Sequence, residues 1–241
     1  MLNILKVDHE AQFNDIGAGI VASLLQTRPQ AALGLATGST PVGIYRRLVE
    51  LYREGSVNFS QARTYNLDEY VGLPADHPQS YRQFMEEHLF RHVNILPHNT
   101  YIPSGSENPE AAVTEYDRLL EQAGPLDLQI LGLGHNGHIG FNEPANKLHS
   151  RTHIVALDDR TREANARFFR SPDEVPTHAI TMGIASILHA KQILLMAKGE
   201  DKAEIVARAL KGPLTTHCPA SLLQTHPNVT ILVDAKAGRF I

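Results

Sequence analysis

Residues 31–41 read Ala31-Ala32-Leu33-Gly34-Leu35-Ala36-Thr37-Gly38-Ser39-Thr40-Pro41. The first six are apolar without alternation, the pattern of a short strand buried on both faces. Four small, mostly polar residues follow, and Pro41 opens a stretch with helical apolar spacing that runs to about Glu54. Such a strand turning directly into a helix is the opening of a strand–helix–strand unit, and the chain on either side repeats it. Helical spacing is expected over 9–27, 80–93, 109–122, 159–169 and 201–210. Strands are expected at 64–67, near Tyr101, and at 126–133, 153–157, 192–197 and 229–233, with a further apolar segment at 178–189. Alternating elements with continuous apolar strands imply an α/β fold, a mostly parallel central sheet with helices on both faces. Ligands of such sheets bind at the carboxyl ends of the strands.

The 241 residues carry a net charge of -4, which gives no electrostatic case for nucleic acid or an acidic membrane as partner. No window approaches the ~18 uninterrupted apolar residues of a membrane span. The start of the chain, Met1 to Asp8, is too short in apolar run for a signal peptide. A single cysteine, Cys218, excludes an internal disulfide and fits a reducing compartment, so a cytoplasmic location is expected. No repeat or linker divides the chain, which reads as one domain over 1–241; residues 158–180, Arg-rich and broken by Pro172 and Pro176, are the candidate for a mobile lid.

Three clusters fall just after strands. In Thr37-Gly38-Ser39-Thr40-Pro41, Thr40 is expected at the N-cap and Pro41 at the first helical position. Free backbone N–H groups and hydroxyls there suit a phosphate, although a plain capped turn has the same residues. The loop lacks the Gly-Lys-Ser/Thr ending of a nucleotide-binding P-loop. In Asn66-Leu67-Asp68-Glu69-Tyr70-Val71-Gly72-Leu73, two adjacent carboxylates follow a strand. Their mutual repulsion can raise one pKa toward that of a general base; a solvated acidic turn is the alternative. In Gly132-Leu133-Gly134-His135-Asn136-Gly137-His138-Ile139-Gly140-Phe141-Asn142-Glu143-Pro144, four glycines among nine residues crowd Asn136, His138 and Glu143 together. A metal site from His135, His138 and Glu143 competes, but the two His stand on an irregular glycine loop, not at the helical spacing that converges ligands. The thirteen histidines are otherwise mostly scattered singly.

In this order and at these separations, the three segments resemble the glucosamine-6-phosphate deaminase (isomerase) family. The likeness continues through Ser150-Arg151-Thr152, Thr161 to Phe169 and Gly199 to Ala203, and so covers nearly the whole chain. The resemblance implies a Rossmann-like fold and the conversion of glucosamine 6-phosphate to fructose 6-phosphate and ammonia, by aldose–ketose isomerisation and deamination. It implies no metal and no organic cofactor, with the small sugar phosphate as partner and the protein a monomer or homo-oligomer. By the same resemblance Asp68 is similar to the base that removes the C2 proton. His138 resembles the group that shuttles a proton during ring opening, assisted by Asn136 and Glu143. Thr37, Gly38, Ser39, Thr40, Arg167 and Lys202 resemble a phosphate clamp.

The chain departs from parts of that family. Some relatives have aspartate where Asn136 stands. Others bind an N-acetylated sugar phosphate as activator through basic residues matching His153 and Val155 and a tyrosine in a longer C-terminal tail. This chain ends at Ile241, so it is expected to be a short form with hyperbolic kinetics. The nearest rival is a 6-phosphogluconolactonase-like lactone hydrolase, which needs activated water but no C–H base. A non-catalytic sugar-phosphate sensor is a second rival; regulators of that kind require a DNA-binding module, and no basic helix-turn-helix precedes residue 31.

Overall fold

The computed structural model describes residues 2–105, 108–157, 162, 166, 169, 171 and 174–241. Most of the helix expected over 159–169, Arg167 and much of the expected lid lie outside the described residues. In chain order the elements are β1 (Leu2–Val7), α1 (Glu10–Thr27), β2 (Ala32–Leu35), α2 (Val42–Arg53), β3 (Arg63–Asn66), β4 (Asp68–Tyr70), α3 (Tyr81–His88), β5 (Thr100–Tyr101), α4 (Pro109–Ala123) and β6 (Leu128–Gly132). They continue with β7 (His153–Ala156), β8 (His178–Thr181), α5 (Ile184–Leu188), β9 (Ile193–Ala197), α6 (Ala203–Lys211) and β10 (Val229–Asp234).

Seven strands form one sheet in the order β1-β10-β9-β6-β2-β3-β5, with every neighbouring pair parallel. The chain steps outward from β2 through β3 to β5 on one side, and from β6 through β9 to β10 on the other. The switch point, where a doubly wound sheet opens a crevice, therefore lies between β2 and β6. The continuous apolar runs behave as their pattern demands, since all four residues of β2 and all five of β9 are buried. α1 buries Phe13, Gly17, Ala18, Val21, Ala22 and Leu25, a stripe at helical spacing. Gly17 is required by packing: a Cβ there would sit 2.2 Å from Cδ1 of Ile44 on α2. α4 starts where its signals put it, with the Asn108 side chain accepting from the Ala111 N–H at 3.1 Å and Pro109 in the first turn.

Several expectations are corrected. Thr40 does not cap α2; Pro41 is already helical and its carbonyl accepts the Tyr45 N–H at 2.9 Å, so the ladder begins without a side-chain cap. The helix expected over 80–93 ends at His88, because Leu89 leaves helical geometry and the chain folds in to bury Leu89 and Phe90. The solvated acidic turn does not exist: Asp68 and Glu69 are buried and lie in β4, the edge of a three-stranded antiparallel sheet β4-β8-β7. β1, which the sequence reading did not recognise, is an edge strand paired with β10.

At the end of the sheet opposite the switch-point crevice, buried Asp127 ties three strands together. Its Oδ2 accepts the Ala32 N–H at the start of β2 at 2.9 Å, and its Oδ1 meets Lys191 Nζ at 2.8 Å and an Arg28 guanidinium nitrogen at 3.1 Å. Burial pushes this carboxyl up, but the Lys191 and Ala32 hydrogen bonds with the two cations outweigh it, and the net pKa is lowered. A depressed folded value stabilises above the unfolded pKa of about 3.9 and loses that contribution as pH falls through the folded value. Asp127→Asn should cost about 1–3 kcal/mol in urea unfolding at pH 7. The deficit should shrink as pH drops below about 4; a deficit that stays constant would contradict the ionic part of the account.

Candidate active site

The segments that follow β3, β2, β6 and β9, four adjacent strands, all leave the carboxyl edge of the sheet around the switch point. They carry, in that order, the acid pair, Thr37–Thr40, the glycine-rich segment and Lys202. Chain direction and strand order thus bring four segments that are remote in sequence to one edge of the sheet.

In β4 the two acids face opposite ways, as neighbours in an extended strand must. Glu69 turns toward α3. Its Oε1 accepts the N–H groups of Tyr70 and Tyr81, both at 2.9 Å, and its Oε2 accepts that of Arg82 at 3.0 Å. It pins β4 to the start of α3, where negative charge is favourable. Burial raises its pKa, and these three amides oppose the rise. Asp68 turns toward the glycine-rich loop. Among the described residues nothing donates a hydrogen bond to its carboxyl. Desolvation first, then the nearby charge of Glu69, push its pKa up to about 8.

The glycine-rich segment owes its shape to particular glycines. Gly137 (φ 92°) and Gly140 (φ 57°) adopt left-handed backbone that other residues resist. The His138 ring lies against Gly134: a Cβ at that position would come within 2.3 Å of the imidazole. A Cβ on Gly140 would lie 3.8 Å from Asp68 Oδ2, which fixes how closely this loop passes the acid. His138, Glu143 and Asn136 form a connected group. His138 Nδ1 lies 2.9 Å from Glu143 Oε1, with the carboxylate off the line of an ideal hydrogen bond. Asn136 donates from Nδ2 to Glu143 Oε2 at 2.6 Å and accepts the His138 N–H at Oδ1 at 3.1 Å. Asn136 therefore orients the carboxylate as well as the backbone of the imidazole. His135 is exposed, its ring 6.0 Å from that of His138, and no group of three metal-ligating side chains converges among the described residues.

Around the other loops, the hydroxyls of Thr37, Ser39 and Thr40 make no hydrogen bond among the described residues, and Gly38 has φ 90°. The absence of a cap on α2 leaves those hydroxyls uncommitted. Lys202 sits in a single 3-10 turn (Glu200–Lys202) ahead of α6; it is half-buried, with no carboxylate at ion-pair distance among the described residues, and desolvation lowers its pKa. The structure also adds two residues that the sequence reading did not assign. Asn142, almost wholly buried, donates to the carbonyls of Ile139 at 3.0 Å and Met182 at 2.9 Å, fastening the loop to the strand β8 region. Thr181, on β8 opposite Asp68, accepts the Phe141 N–H at 3.1 Å. No local pattern announces Thr181; its place comes from strand pairing across more than a hundred residues of chain.

A Rossmann-like α/β fold with a buried acid, an imidazole–carboxylate group and a half-buried ammonium around its switch point is an enzyme's architecture. The chain belongs to the family of glucosamine-6-phosphate isomerases/6-phosphogluconolactonase, which it matches over residues 10–232. It is 51% identical over 232 residues to a glucosamine-6-phosphate deaminase of Lachnoclostridium phytofermentans, covering 95% of this chain and 98% of that one. It is 48% identical over 239 residues to one of Thermoanaerobacter pseudethanolicus, covering 99% and 94%. Its fold superposes on the solved structure of a monomeric glucosamine-6-phosphate deaminase with TM-score 0.95 and 43% identity, covering 99% and 100%. A 6-phosphogluconolactonase from Thermotoga maritima shares the fold at TM-score 0.78 but only 20% identity, covering 97% and 100%.

The raised Asp68 pKa has a measurable sign. Between about 4 and about 8 the unfolded chain releases this proton while the folded one keeps it, so this group makes stability fall as pH rises through that window. Asp68→Asn should therefore gain on the parent in urea unfolding from pH 4 to pH 8 and then hold level. A stability difference independent of pH would show that Asp68 ionises normally.

Proposed function

We propose that this protein is a glucosamine-6-phosphate deaminase that converts glucosamine 6-phosphate to fructose 6-phosphate and ammonia. The observation that carries the proposal is the division of labour in β4: Glu69 is held by three amides, whereas the Asp68 carboxyl accepts no hydrogen bond among the described residues and faces the His138 loop. The substrate is mostly a closed ring, whose C–H bonds become acidic only once the aldehyde is exposed. His138 accepts the C1 hydroxyl proton and returns one to the ring oxygen, and Glu143 steadies the imidazolium formed in between. In the empty site Asp68 holds its proton at neutral pH. The substrate's ammonium at C2, an opposite charge beside it, favours the ionised form needed for proton abstraction.

Asp68 then removes the C2 proton to give an enolamine, and a proton delivered to C1 turns it into an imine at C2. Water adds to that imine and ammonia departs, leaving the ketose. Proton transfers and positioning suffice for every step. Thr37, Gly38, Ser39, Thr40 and Lys202, with Arg167, hold the phosphate and restrict the open chain. Hydroxyls and an ammonium that pair with no described residue, at the same sheet edge, support that assignment. We read residues 1–241 as one catalytic domain, with 158–180 as its lid, acting in the cytoplasm as a hydrolase of N-acetylglucosamine catabolism, as a monomer or homo-oligomer.

Asp68→Asn should lower turnover by at least about 10²-fold and abolish exchange of the C2 hydrogen with solvent. Binding of the sugar phosphate should persist. Exchange at the parent rate would remove Asp68 from the mechanism, and hydrolysis of 6-phosphogluconolactone without ammonia release from glucosamine 6-phosphate would favour the lactonase reading. Asn136→Asp replaces the donor to Glu143 with a second carboxylate beside the Glu143–His138 group and should move the alkaline limb of the rate profile to higher pH; an unmoved limb would show that charge at this position does not reach the imidazole.

A further inference from the structure

Asp68 and Thr181 are direct partners in the antiparallel pair of β4 and β8. Side chains of directly opposed residues share a face, with Cβ atoms about 4.5–5.5 Å apart. Thr181 Oγ1 and Asp68 Oδ2 also flank the same point, 3.0 and 3.8 Å from where a Gly140 Cβ would be. Thr181 is fully buried. Its oxygen accepts the Phe141 N–H at 3.1 Å, while its own proton is donated to no described residue. A buried donor without an acceptor is costly, and so is a buried carboxylate without a donor.

We propose that Thr181 is a positioning residue for Asp68: its hydroxyl donates to the Asp68 carboxylate once that group is ionised, and the Phe141 amide holds the hydroxyl in place. This deepens the reading of Asp68 as the C2 base and rests on it. The neighbouring Asn142 cannot supply the bond, because its Nδ2 is committed to the carbonyls of Ile139 and Met182. The ionisable groups around Asp68 are Glu69 and Tyr70 on its own strand, Tyr81 on α3 and Tyr116 on α4. His153 lies beyond Thr181 on β7, and the His138–Glu143 pair is on the glycine-rich loop. None of them hydrogen-bonds the Asp68 carboxyl among the described residues. A neutral donor that stabilises only the charged form lets a buried acid remain water-excluded yet still become a base.

The test is the Asp68 titration in the substrate-free, full-length protein, followed by isotope-edited infrared or carbon NMR, with Asp68→Asn marking its signal. Thr181→Val should move that ionisation upward by about one pH unit, and Thr181→Ser should return it to the parent position. In turnover, Thr181→Val should lower kcat about tenfold at neutral pH with the acidic limb shifted upward and KM little changed. Where Thr181→Val does not fold, Thr181→Ala against Thr181→Ser gives the same comparison. An Asp68 ionisation unmoved in a folded Val or Ala variant overturns the proposal, as it would if the hydroxyl served the unpartnered Asn142 Oδ1 instead. Because the titration uses no substrate, it stands apart from the role of Asp68, which the C2 exchange of Asp68→Asn tests.

Discussion

Successive side chains of an extended strand point to opposite faces, and in β4 that alternation separates two adjacent carboxylates into different trades. Glu69 goes to the α3 side and is absorbed by three backbone amides, so its charge serves the architecture. Asp68 goes to the other side, away from water and without a donor among the described residues, so its charge is costly and its proton affinity high. A solvated turn would leave both acids ordinary. What makes one unusual is that β4 pairs with β8 instead of ending in a loop, and that Glu69 anchors the strand firmly enough to hold Asp68 in an unfavourable place.

The rest of the fold converges on that strand. The outward stepping of the chain from β2 and from β6 opens the sheet edge, and the glycine-rich loop crosses it close to Asp68. Gly134 yields its surface to the His138 ring, and Gly140 bends the loop so that Phe141 reaches the cluster of Tyr70, Leu157 and Ala179 on the small sheet. At the far end of the same central strands, Asp127 fastens β2 and β6 to Lys191 ahead of β9. One end is closed by satisfied charges; at the other a half-buried ammonium and a buried carboxyl have no partner among the described residues. Buried or half-buried polar groups left without partners are the places where a ligand completes the structure.

Much of this was legible in the residues, for reasons that differ by element. β2, β6 and β9 are central and covered on both sides, so their apolar runs are unbroken, and α4 carries Asn108 and Pro109 at its start. β1 escaped notice because an edge strand mixes Asn3 and Lys6 with apolar residues. β4 escaped because Asp and Glu are poor strand formers, and its pairing with β8 is a tertiary fact. The motifs name Asp68 and, in one loop, the connected residues Asn136, His138 and Glu143. They did not tell Asp68 from Glu69 by environment, nor show that Asn136 bonds Glu143, nor point to Thr181. A Thr before a Pro is the ordinary signature of a cap, but here the Pro41 carbonyl itself opens the ladder, one residue later than that signature implies.

The proposed reaction requires Asp68 to reach the carbon that bears nitrogen. A crystal structure with an unreactive open-chain analogue, the aldehyde reduced to an alcohol and the 6-phosphate retained, examines this directly. The Asp68 carboxyl should lie about 3–3.5 Å from C2, with the phosphate on the Thr37–Thr40 loop and Lys202. A ligand held with C2 turned away from Asp68, or a phosphate bound elsewhere, would contradict it.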